Sequence, residues 1–302
     1  MIKFLNLFKI LKFILSHPLN RNRKGKAVTR FIRWQIGSRI APGSILVKFI
    51  GESRLIAEPG LAGATGNVYT GLYEFEDMAF VLHCLRKDDL LVDIGANIGT
   101  YTILASSVIG ARCMAIEPIP SAFKHLCDNV NINGIYDRAR CLKIGISNTA
   151  GILRFTTSYG SMNHVSVNGN ANSNTIEVPV KTLNEVIGDF EAFLLKIDVE
   201  GYETRVIEGA DDILAKENLH VVLMELRGHG KRYGFDESML HKRMLGYGFI
   251  SCRYFPFTRE IVENEGIDFQ RGNTLYIREK SLSLIERRVQ SAPKFSVFNH
   301  EF

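Results

Sequence analysis

From Leu90 onward, short apolar runs alternate with segments whose apolar residues recur at helical spacing. Short apolar runs bounded by turn residues are typical of buried strands, and the spacing between them is typical of amphipathic helices. Because parallel strands need crossover connections, this alternation indicates a mostly parallel sheet with helices on both faces. We predict a Rossmann-like α/β fold with strands at 90–94, 113–117, 140–144, 193–198 and 221–226 and helices at 98–108, 121–131 and 203–214.

The segments that flank this alternating core have patterns of their own. A polar insertion at 151–180 lies between strand-like residues, which predicts a hairpin or loop before the fourth core strand. The other predicted elements are short strands at 44–50 and 54–57, a glycine-rich loop at 60–71, a helix at 74–86 and a closing antiparallel pair at 249–255 and 273–277. We divide the chain into a basic amphipathic helical segment (1–40), a main domain that begins with a hairpin and a helix (41–280) and a C-terminal tail (281–302).

The N-terminal helix pattern is amphipathic, with its apolar face formed by Phe4, Leu7, Phe8, Leu11, Ile14 and Leu15. Lysines interrupt it, and it is shorter than the about 20 residues of a transmembrane helix. Its charges also do not follow the order of a signal peptide. Two interpretations remain open. The helix lies on an anionic membrane surface, with residues 1–33 and their basic run making the contact, or it packs on the protein's own core.

Net charge and cysteine content bear on the partners and the cellular location of the protein. The 302 residues carry a formal net charge of +5, and no aromatic and basic surface is evident, so nucleic acid is not an expected partner. The five cysteines are odd in number and lack C-x-x-C spacing, which favours reduced thiols over disulfides or zinc. We expect a cytoplasmic protein, with peripheral contact at the inner membrane face if the N-terminal helix binds lipid.

The segment that follows the first core strand predicts a cofactor site. Asp93, Gly95, Asn97 and Gly99 form a strand-to-helix turn, and Glu117 follows at the end of the second strand. An acid at that spacing accepts hydrogen bonds from ribose hydroxyls. Asn97 replaces the central glycine of a dinucleotide fingerprint, and the carboxylate of Asp93 disfavours phosphates but suits a cationic ligand. We therefore predict that these residues bind S-adenosylmethionine, which carries a sulfonium, an ammonium and a ribose.

An acceptor site is predicted where the fourth and fifth core strands end, at the edge where open α/β sheets bind ligands. Asp198 is the first candidate, and Glu225 occupies the matching place on the next strand. His164 in the insertion is the candidate base, and His229 is a second histidine to consider. Methyl transfer to a hydroxyl needs a base or a metal, so a divalent cation is possible, with no metal ligands assigned.

The neighbouring polar residues have simpler interpretations. Glu203 is expected to cap the following helix through the helix dipole, whereas the role of Glu200 stays open. Lys196, which alternates within an apolar strand, is expected to pair with one of these acids.

Four motifs together resemble the FkbM-type methyltransferases: Val92-Asp-Ile-Gly-Ala-Asn-Ile-Gly-Thr-Tyr-Thr, Glu117-Pro-Ile-Pro, Lys196-Ile-Asp-Val-Glu-Gly-Tyr-Glu and Asn273-Thr-Leu-Tyr-Ile. The resemblance covers about residues 71–277, and the 196–203 block is its most specific part. It implies a class I methyltransferase fold whose first strands hold the cofactor and whose fourth and fifth strands face the acceptor. Many relatives are sugar or polyketide O-methyltransferases, so the implied acceptor is a hydroxyl on a sugar, glycan or related small molecule.

Other functions are compatible with parts of the pattern. A nicotinamide-dependent oxidoreductase shares the fold, but the missing central glycine argues against it. A membrane-attached binding protein without catalytic activity would not need the cofactor turn. RNA methylation would use the basic N-terminal segment, but the aromatic residues of an RNA-binding surface are not evident.

Overall fold

The structure is a computed structural model that describes residues 2–40, 42–166, 174–267, 269 and 271–302, with side chains described in these ranges except those of residues 2–6 and 62. The helices are α1 (Ile2–Ser16), α2 (Lys24–Ile40), α3 (Ala62–Thr70), α4 (Phe75–Cys84), α5 (Thr100–Ile103, continued by a π turn to Ile109), α6 (Pro120–Ile132), α7 (Leu183–Ile187), α8 (Glu203–Glu208), α9 (Asp211–Ala215), α10 (Glu237–Gly246) and α11 (Leu282–Gln290). Single 3-10 turns lie at 18–20, 160–162, 229–233 and 279–281.

The strands form a large mixed sheet and three small sheets. They are β1 (Ile45–Lys48), β2 (Arg54–Ala57), β3 (Leu90–Ile94), β4 (Arg112–Ile116), β5 (Ala139–Leu142), β6 (Gly145–Ile146), β7 (Gly151–Thr156), β8 (Thr175–Lys181), β9 (Leu194–Ile197), β10 (Val221–Glu225), β11 (Phe249–Phe255), β12 (Glu260–Glu263), β13 (Asn273–Arg278), β14 (Ser296–Val297) and β15 (His300–Glu301).

The large sheet has the order β12-β11-β13-β10-β9-β3-β4-β5. Strands β5, β4, β3, β9 and β10 run parallel, whereas β13, β11 and β12 pair antiparallel. The first core strand, β3, thus lies between β4 and β9, which creates a switch point where loops diverge and ligands bind in open α/β sheets. The predicted Rossmann-like fold and its antiparallel closing pair are confirmed.

Helices cover both faces of this sheet. On one face Leu82 of α4 and Ile285 of α11 belong to a buried cluster with residues of β3, β4 and β10. On the other face Val206 of α8 and Leu240 of α10 pack with the alternate residues of the same strands. Burial on both faces explains why these strands are continuous apolar runs in the sequence.

Two predictions about secondary structure are wrong. The stretch 60–71 is a helix, α3, because Ala64 and Tyr69 are buried against α2, and that packing outweighs the low helix propensity of glycine. The predicted helix 203–214 is broken into α8 and α9. At the break, a Cβ on Gly209 would overlap the carbonyl oxygen of Ser147, so the chain comes too close to a neighbouring loop to continue as one helix.

The N-terminal helix α1 is partly packed on the protein. Ile14 is fully buried and Leu11 is half-buried in a cluster with Trp34 of α2 and Leu55 of β2. The predicted apolar face is therefore divided, because Leu7 and Phe8 are exposed, while the side chain of Phe4 lies outside the described residues. No helix in the described part of the chain is both long enough and apolar enough to cross a membrane.

The polar insertion forms the predicted hairpin. Strands β7 and β8 pair antiparallel from Gly151↔Val180 to Thr156↔Thr175, and β6 adds a third strand beside β8. Residues 167–173 at its tip lie outside the described residues. At the other end of the chain, α11 and the β14–β15 hairpin fold back so that Phe302 is buried near Phe75 of α4.

Candidate active site

The cofactor turn, residues 93–102 with Glu117, joins β3 to α5 at the switch point of the sheet. The backbone N–H groups of Gly95 and Ala96 donate to the carbonyl of Ile116, which fixes the turn against β4. Asn97 adopts a left-handed conformation (φ 51°), which asparagine tolerates better than most residues. The turn that the sequence predicted is therefore formed.

Glu117 connects this turn to the segment before α6 through its carboxylate. Its Oε2 accepts a hydrogen bond from the N–H of Asn97 at 2.8 Å, and its Oε1 accepts one from the N–H of Ile119 at 2.8 Å. Each carboxylate oxygen keeps a further lone pair, which a ribose hydroxyl could use. Burial raises the pKa of Glu117 to about 7, although the two backbone donors oppose that rise.

Asp93 lies deeper, as the fourth residue of β3. Its Oδ2 accepts a hydrogen bond from the hydroxyl of Thr102 at 2.8 Å, and the side chain is almost fully buried. Burial raises its pKa to about 6, whereas the Thr102 bond and the charge of Lys196 lower it. Asp93 and Lys196 face each other in register on β3 and β9. This pairing of strands brings the cofactor turn close to the end of the fourth core strand.

The two glycines of the turn have identifiable steric roles. A Cβ on Gly95 (φ 79°) would overlap the carbonyl oxygen of Asp198, so this glycine allows the turn to touch the loop after β9. A Cβ on Gly99 (φ 85°) would overlap Leu126 of α6. Gly99 thus allows the turn to pack closely against α6.

A second group, the acceptor cluster, lies at the carboxyl ends of β9 and β10 and comprises Lys196, Asp198, Glu200, Glu225 and His229. Lys196 is buried and donates to Oδ2 of Asp198 at 3.1 Å, as its expected pairing with an acid requires. It also donates to Oδ1 of Asn273 at 3.1 Å. Burial lowers the pKa of Lys196, but the carboxylates around it, Asp198 first, raise it further, so the ammonium stays charged.

Glu225 and Glu200 are the carboxylates of this cluster that have fewest partners. Oε1 of Glu225 lies 3.0 Å from Nε of Arg227, whereas its Oε2 has no hydrogen-bond partner among the described residues. Burial, reinforced by the charge of Asp198, raises the pKa of Glu225 to about 9 and that of Glu200 to about 7. The protein thus confines three carboxylates with too little positive charge to keep all of them ionised.

Glu203 has the structural role that the sequence suggested. Its Oε1 accepts hydrogen bonds from the N–H groups of Val199 at 3.1 Å and Gly201 at 3.2 Å, so it closes the turn ahead of α8. Glu200, between those two residues, takes a left-handed conformation (φ 57°) that is uncommon for a side chain of its size. Glu200 thus lies within the turn that Glu203 stabilises.

His164, from the insertion, lies beside the same cluster. Tyr233 donates to the carbonyl of Val165 at 2.9 Å, which ties the insertion to the 3-10 turn that begins at His229. Nδ1 of His164 lies 2.8 Å from the carbonyl oxygen of Met162, so it carries the proton and leaves Nε2 free to accept one. Burial lowers its pKa, and the charges of Arg232 and His229 lower it further.

Four residues that sequence reasoning did not single out complete the network around Lys196. Asn273 donates to Glu74 at 3.1 Å and to Asp77 at 2.9 Å, and the hydroxyl of Tyr101 donates to Glu74 at 2.7 Å. Burial raises the pKa of Asp77 to about 7. The spacing of Glu74 and Asp77, three residues apart at the start of a predicted helix, was a usable signal because such residues share one face.

The sequence matches the family described as the Methyltransferase FkbM domain over residues 93–265, more than half of the chain. The hexuronic acid methyltransferase AglP of Haloferax volcanii is 30% identical over 159 residues, which cover 49% of this chain and 61% of that protein. The methyltransferase sdnD of Sordaria araneosa is 25% identical over 172 residues, which cover 46% of this chain and 66% of that protein. The matches span less than two thirds of the length of these two relatives.

A solved precorrin-6y C5,15-methyltransferase of Geobacter metallireducens matches with 12% sequence identity and a TM-score of 0.39, covering 68% of this chain and 88% of that one. A likeness at that level carries no weight, and the fold is defined instead by the strand order of the large sheet.

Proposed function

Because the chain belongs to the FkbM methyltransferase family, we propose that it transfers a methyl group from S-adenosylmethionine to a hydroxyl of a sugar, glycan or related small molecule. The observation that carries the proposal is the cofactor turn, in which two buried carboxylates lie at the carboxyl ends of adjacent parallel strands. That donor set fits the ligand, because Glu117 can accept from ribose hydroxyls and Asp93 adds negative charge for a cationic cofactor. The similarity to a hexuronic acid methyltransferase supports a sugar as the acceptor.

The residues proposed to bind the cofactor are Asp93, Gly95, Asn97, Gly99 and Glu117. When bound, the cofactor supplies an electrophilic methyl group. Membership in a methyltransferase family argues against the oxidoreductase alternative. The carboxylates of Asp93 and Glu117 would also repel the pyrophosphate of a dinucleotide.

We assign the acceptor chemistry to Asp198, His164 and Glu225. Asp198 is paired with Lys196 and half-buried, which suits it to orient a hydroxyl rather than to take its proton. The proton of the acceptor hydroxyl goes to Nε2 of His164, because that nitrogen is unprotonated at neutral pH when Nδ1 donates to Met162. Glu225 ends β10, the strand that pairs with β9, and its Oε1 contacts Arg227.

The same assignment allows a divalent cation to bind beside Asp198, where it would activate the hydroxyl as a Lewis acid. The ion pair with Lys196 already neutralises Asp198, so Asp198 itself is a weak candidate for a metal ligand. A bound cation would act together with His164. The cation would lower the pKa of the acceptor hydroxyl, and His164 would receive the proton of that hydroxyl.

We further propose that residues 1–33 make peripheral contact with an anionic membrane, which would place the protein at the inner membrane face of the cytoplasm. Exposed apolar side chains concentrate in this part of the chain, among them Leu7, Phe8 and Ile10 of α1 and Ile32 of α2. An apolar cavity of about 450 Å³ between α2 and β1 has Arg33 in its lining. Apolar side chains beside exposed cations suit acyl chains and lipid phosphates.

The domain division follows from these roles. Residues 1–40 form the attachment segment, residues 41–280 the catalytic domain, and residues 281–302 a C-terminal tail that packs beside α4. Nucleic acid is not a proposed partner, because Phe31 and Trp34, the aromatic residues at the basic run 21–33, are buried.

Calorimetric titration tests the cofactor assignment directly. The full-length protein should bind S-adenosylmethionine at one saturable site and show no comparable heat with a nicotinamide dinucleotide. Binding of the dinucleotide alone would overturn the proposal. The Glu263→Ala protein, altered at an exposed residue of the edge strand β12, is the matched control and should bind like the parent.

A further inference from the structure

Three side chains of the acceptor cluster converge in a way that the proton transfer to His164 does not require. Glu200 lies in the turn after β9, Glu225 ends β10, and His229 opens the 3-10 turn that follows. One ligand atom from each of the three lies within 4.8 Å of the other two. The backbone therefore brings two carboxylates and an imidazole from separate loops to one point.

The contacts among these atoms are not those of ordinary hydrogen bonds. Nδ1 of His229 lies 3.3 Å from Oε2 of Glu200, yet within the described residues Nδ1 has no hydrogen-bond partner of acceptable geometry. First-row divalent cations bind nitrogen and oxygen at about 2.0–2.2 Å, so two ligand atoms at right angles lie about 3 Å apart. The separation of these two atoms is the one that a shared cation would impose.

Glu225 supplies the second, independent sign of a ligand. Its side chain is only 8% exposed, and its Oε2 has no hydrogen-bond partner in the described part of the chain. Burial of a carboxylate oxygen without a partner destabilises the folded protein, because the oxygen loses its hydrogen bonds to water and forms none with the protein. Arg227 compensates Oε1 alone, so the other oxygen remains available to a cation.

The loops that carry these residues are held by bonds that do not involve the three ligand atoms. Both carboxylate oxygens of Glu237 accept from the backbone, one from Gly228 and one from Gly230, each at 2.9 Å. Arg232 donates to the carbonyl oxygen of Glu200 at 3.4 Å. A site whose ligands are positioned by other contacts can bind its ion without rebuilding the loops.

We propose that Glu200, Glu225 and His229 bind a divalent first-row cation, such as Mn²⁺ or Zn²⁺, beside the acceptor hydroxyl. A ligand set of two carboxylates and one imidazole suits these ions better than Mg²⁺ or Ca²⁺, which prefer oxygen alone. Three protein ligands leave coordination positions open, so the ion can take the acceptor oxygen and lower the pKa of its hydroxyl. The binding of the ion stands alone, whereas its role rests on the proposed methyl transfer.

Metal binding is tested on the full-length protein after treatment with a chelator and removal of the chelator. Titration with Mn²⁺, followed by the loss of the free-ion signal in electron paramagnetic resonance, should show one site per chain. Glu225→Gln and His229→Ala should each weaken binding by about tenfold or more, because each removes one ligand. Glu260→Gln, at an exposed acid of β12, should bind like the parent.

The possible outcomes test the metal site separately from its role in activating the acceptor hydroxyl. Absence of Mn²⁺ and Zn²⁺ binding by the parent, or unchanged binding in Glu225→Gln, His229→Ala and Glu200→Gln with unchanged circular dichroism, would overturn the site. If the ion binds there but the chelated protein transfers methyl groups at the parent rate, the role in hydroxyl activation is overturned while the site stands. Failure of methyl transfer with intact metal binding would instead count against the proposed function alone.

Discussion

The cofactor turn and the acceptor cluster lie side by side at one edge of the sheet, but their carboxylates are stabilised differently. Glu117 and Asp93 accept hydrogen bonds from backbone N–H groups and a hydroxyl that lie within 20 residues along the chain. Lys196 donates to Asn273, which is distant in sequence, and Oε2 of Glu225 has no hydrogen-bond partner in the described structure. The cofactor side is thus a more local motif, whereas the acceptor side is built from distant segments and contains a buried carboxylate oxygen without a hydrogen bond.

This difference has a functional meaning. A cofactor shared by many enzymes can be held by one compact turn, because its shape does not vary. An acceptor that differs between enzymes is better bound by side chains from several loops, because the sequence of each loop can change independently. Substitutions in the two regions should therefore affect different measured quantities.

The largest effect is expected at the base. His164→Ala should lower turnover by about 10²–10⁴-fold, because it removes the proton acceptor, and should leave cofactor affinity unchanged. Steady-state kinetics with a saturating acceptor, together with calorimetry, separate the two quantities. His300→Ala, in the terminal hairpin, is the matched control. Near-normal turnover in both His164→Ala and Asp198→Asn would show that the acceptor assignment is wrong and would move attention to Glu225 and His229.

The second-largest effect is expected in the cofactor turn. Glu117→Ala should reduce affinity for S-adenosylmethionine tenfold or more, since a charge-assisted hydrogen bond contributes about 1.5–3 kcal/mol. Calorimetric titration of the variant and of Glu263→Ala measures the change. An unaltered dissociation constant for Glu117→Ala would remove Glu117 from the cofactor site.

Cofactor affinity should also depend on pH. Burial raises the pKa of Asp93 to about 6 and that of Glu117 to about 7, and a cationic ligand binds the ionised carboxylates better. Affinity should therefore be full above those values and fall as the pH drops through them, by up to about tenfold per pH unit for each carboxylate that must lose its proton. Titrations between about pH 5 and 8 that show constant affinity would contradict this electrostatic role.

A smaller effect is expected on stability. Thr102→Val removes the hydroxyl that donates to Asp93, which leaves a buried carboxylate oxygen without that partner and should cost about 1–3 kcal/mol. Ser106→Ala is the control, because the buried hydroxyl of Ser106 has no hydrogen-bond partner among the described residues. Denaturant unfolding of both variants tests the difference. Equal loss of stability would mean that the Thr102 bond contributes little.

The smallest effect on either region should come from the N-terminal helix. Phe8→Glu places a charge on an exposed apolar residue, so it should reduce co-sedimentation with anionic liposomes at low salt and leave turnover on a water-soluble acceptor unchanged. Tyr136→Glu alters an exposed aromatic residue in the loop after α6 and should sediment like the parent. A parent protein that never sediments with such liposomes would rule out the membrane contact.

The contrast between the two regions also explains what could be predicted from the sequence. The cofactor turn was predictable because its glycines, its acid and the bonds between them lie close together along the chain. The alternating strands were predictable because burial on both faces leaves a continuous apolar signal. The network of Glu74, Asp77 and Asn273 was not predictable. Asn273 is distant from the other two residues in sequence, and the pairing of β10 with β13 brings it opposite Glu225.

The two errors in secondary structure have the same origin. Glycines in 60–71 predicted a loop, but burial of Tyr69 against Phe31 stabilises a helix there. The break between α8 and α9 is imposed by the loop at Ser147, a residue far away in the sequence. Local patterns cannot report contacts of this kind.

Transfer of a labelled methyl group tests the central claim most directly. The full-length protein is incubated with S-adenosylmethionine that carries a deuterated methyl group and with oligosaccharides that contain hexuronic acid, and the products are analysed by mass spectrometry and methyl-linkage analysis. The account predicts one labelled methyl group on a sugar oxygen, in a reaction that His164→Ala slows and Glu263→Ala does not. A label found on nitrogen, or a cofactor bound without any transfer to glycans or small-molecule hydroxyls from the host, would contradict it.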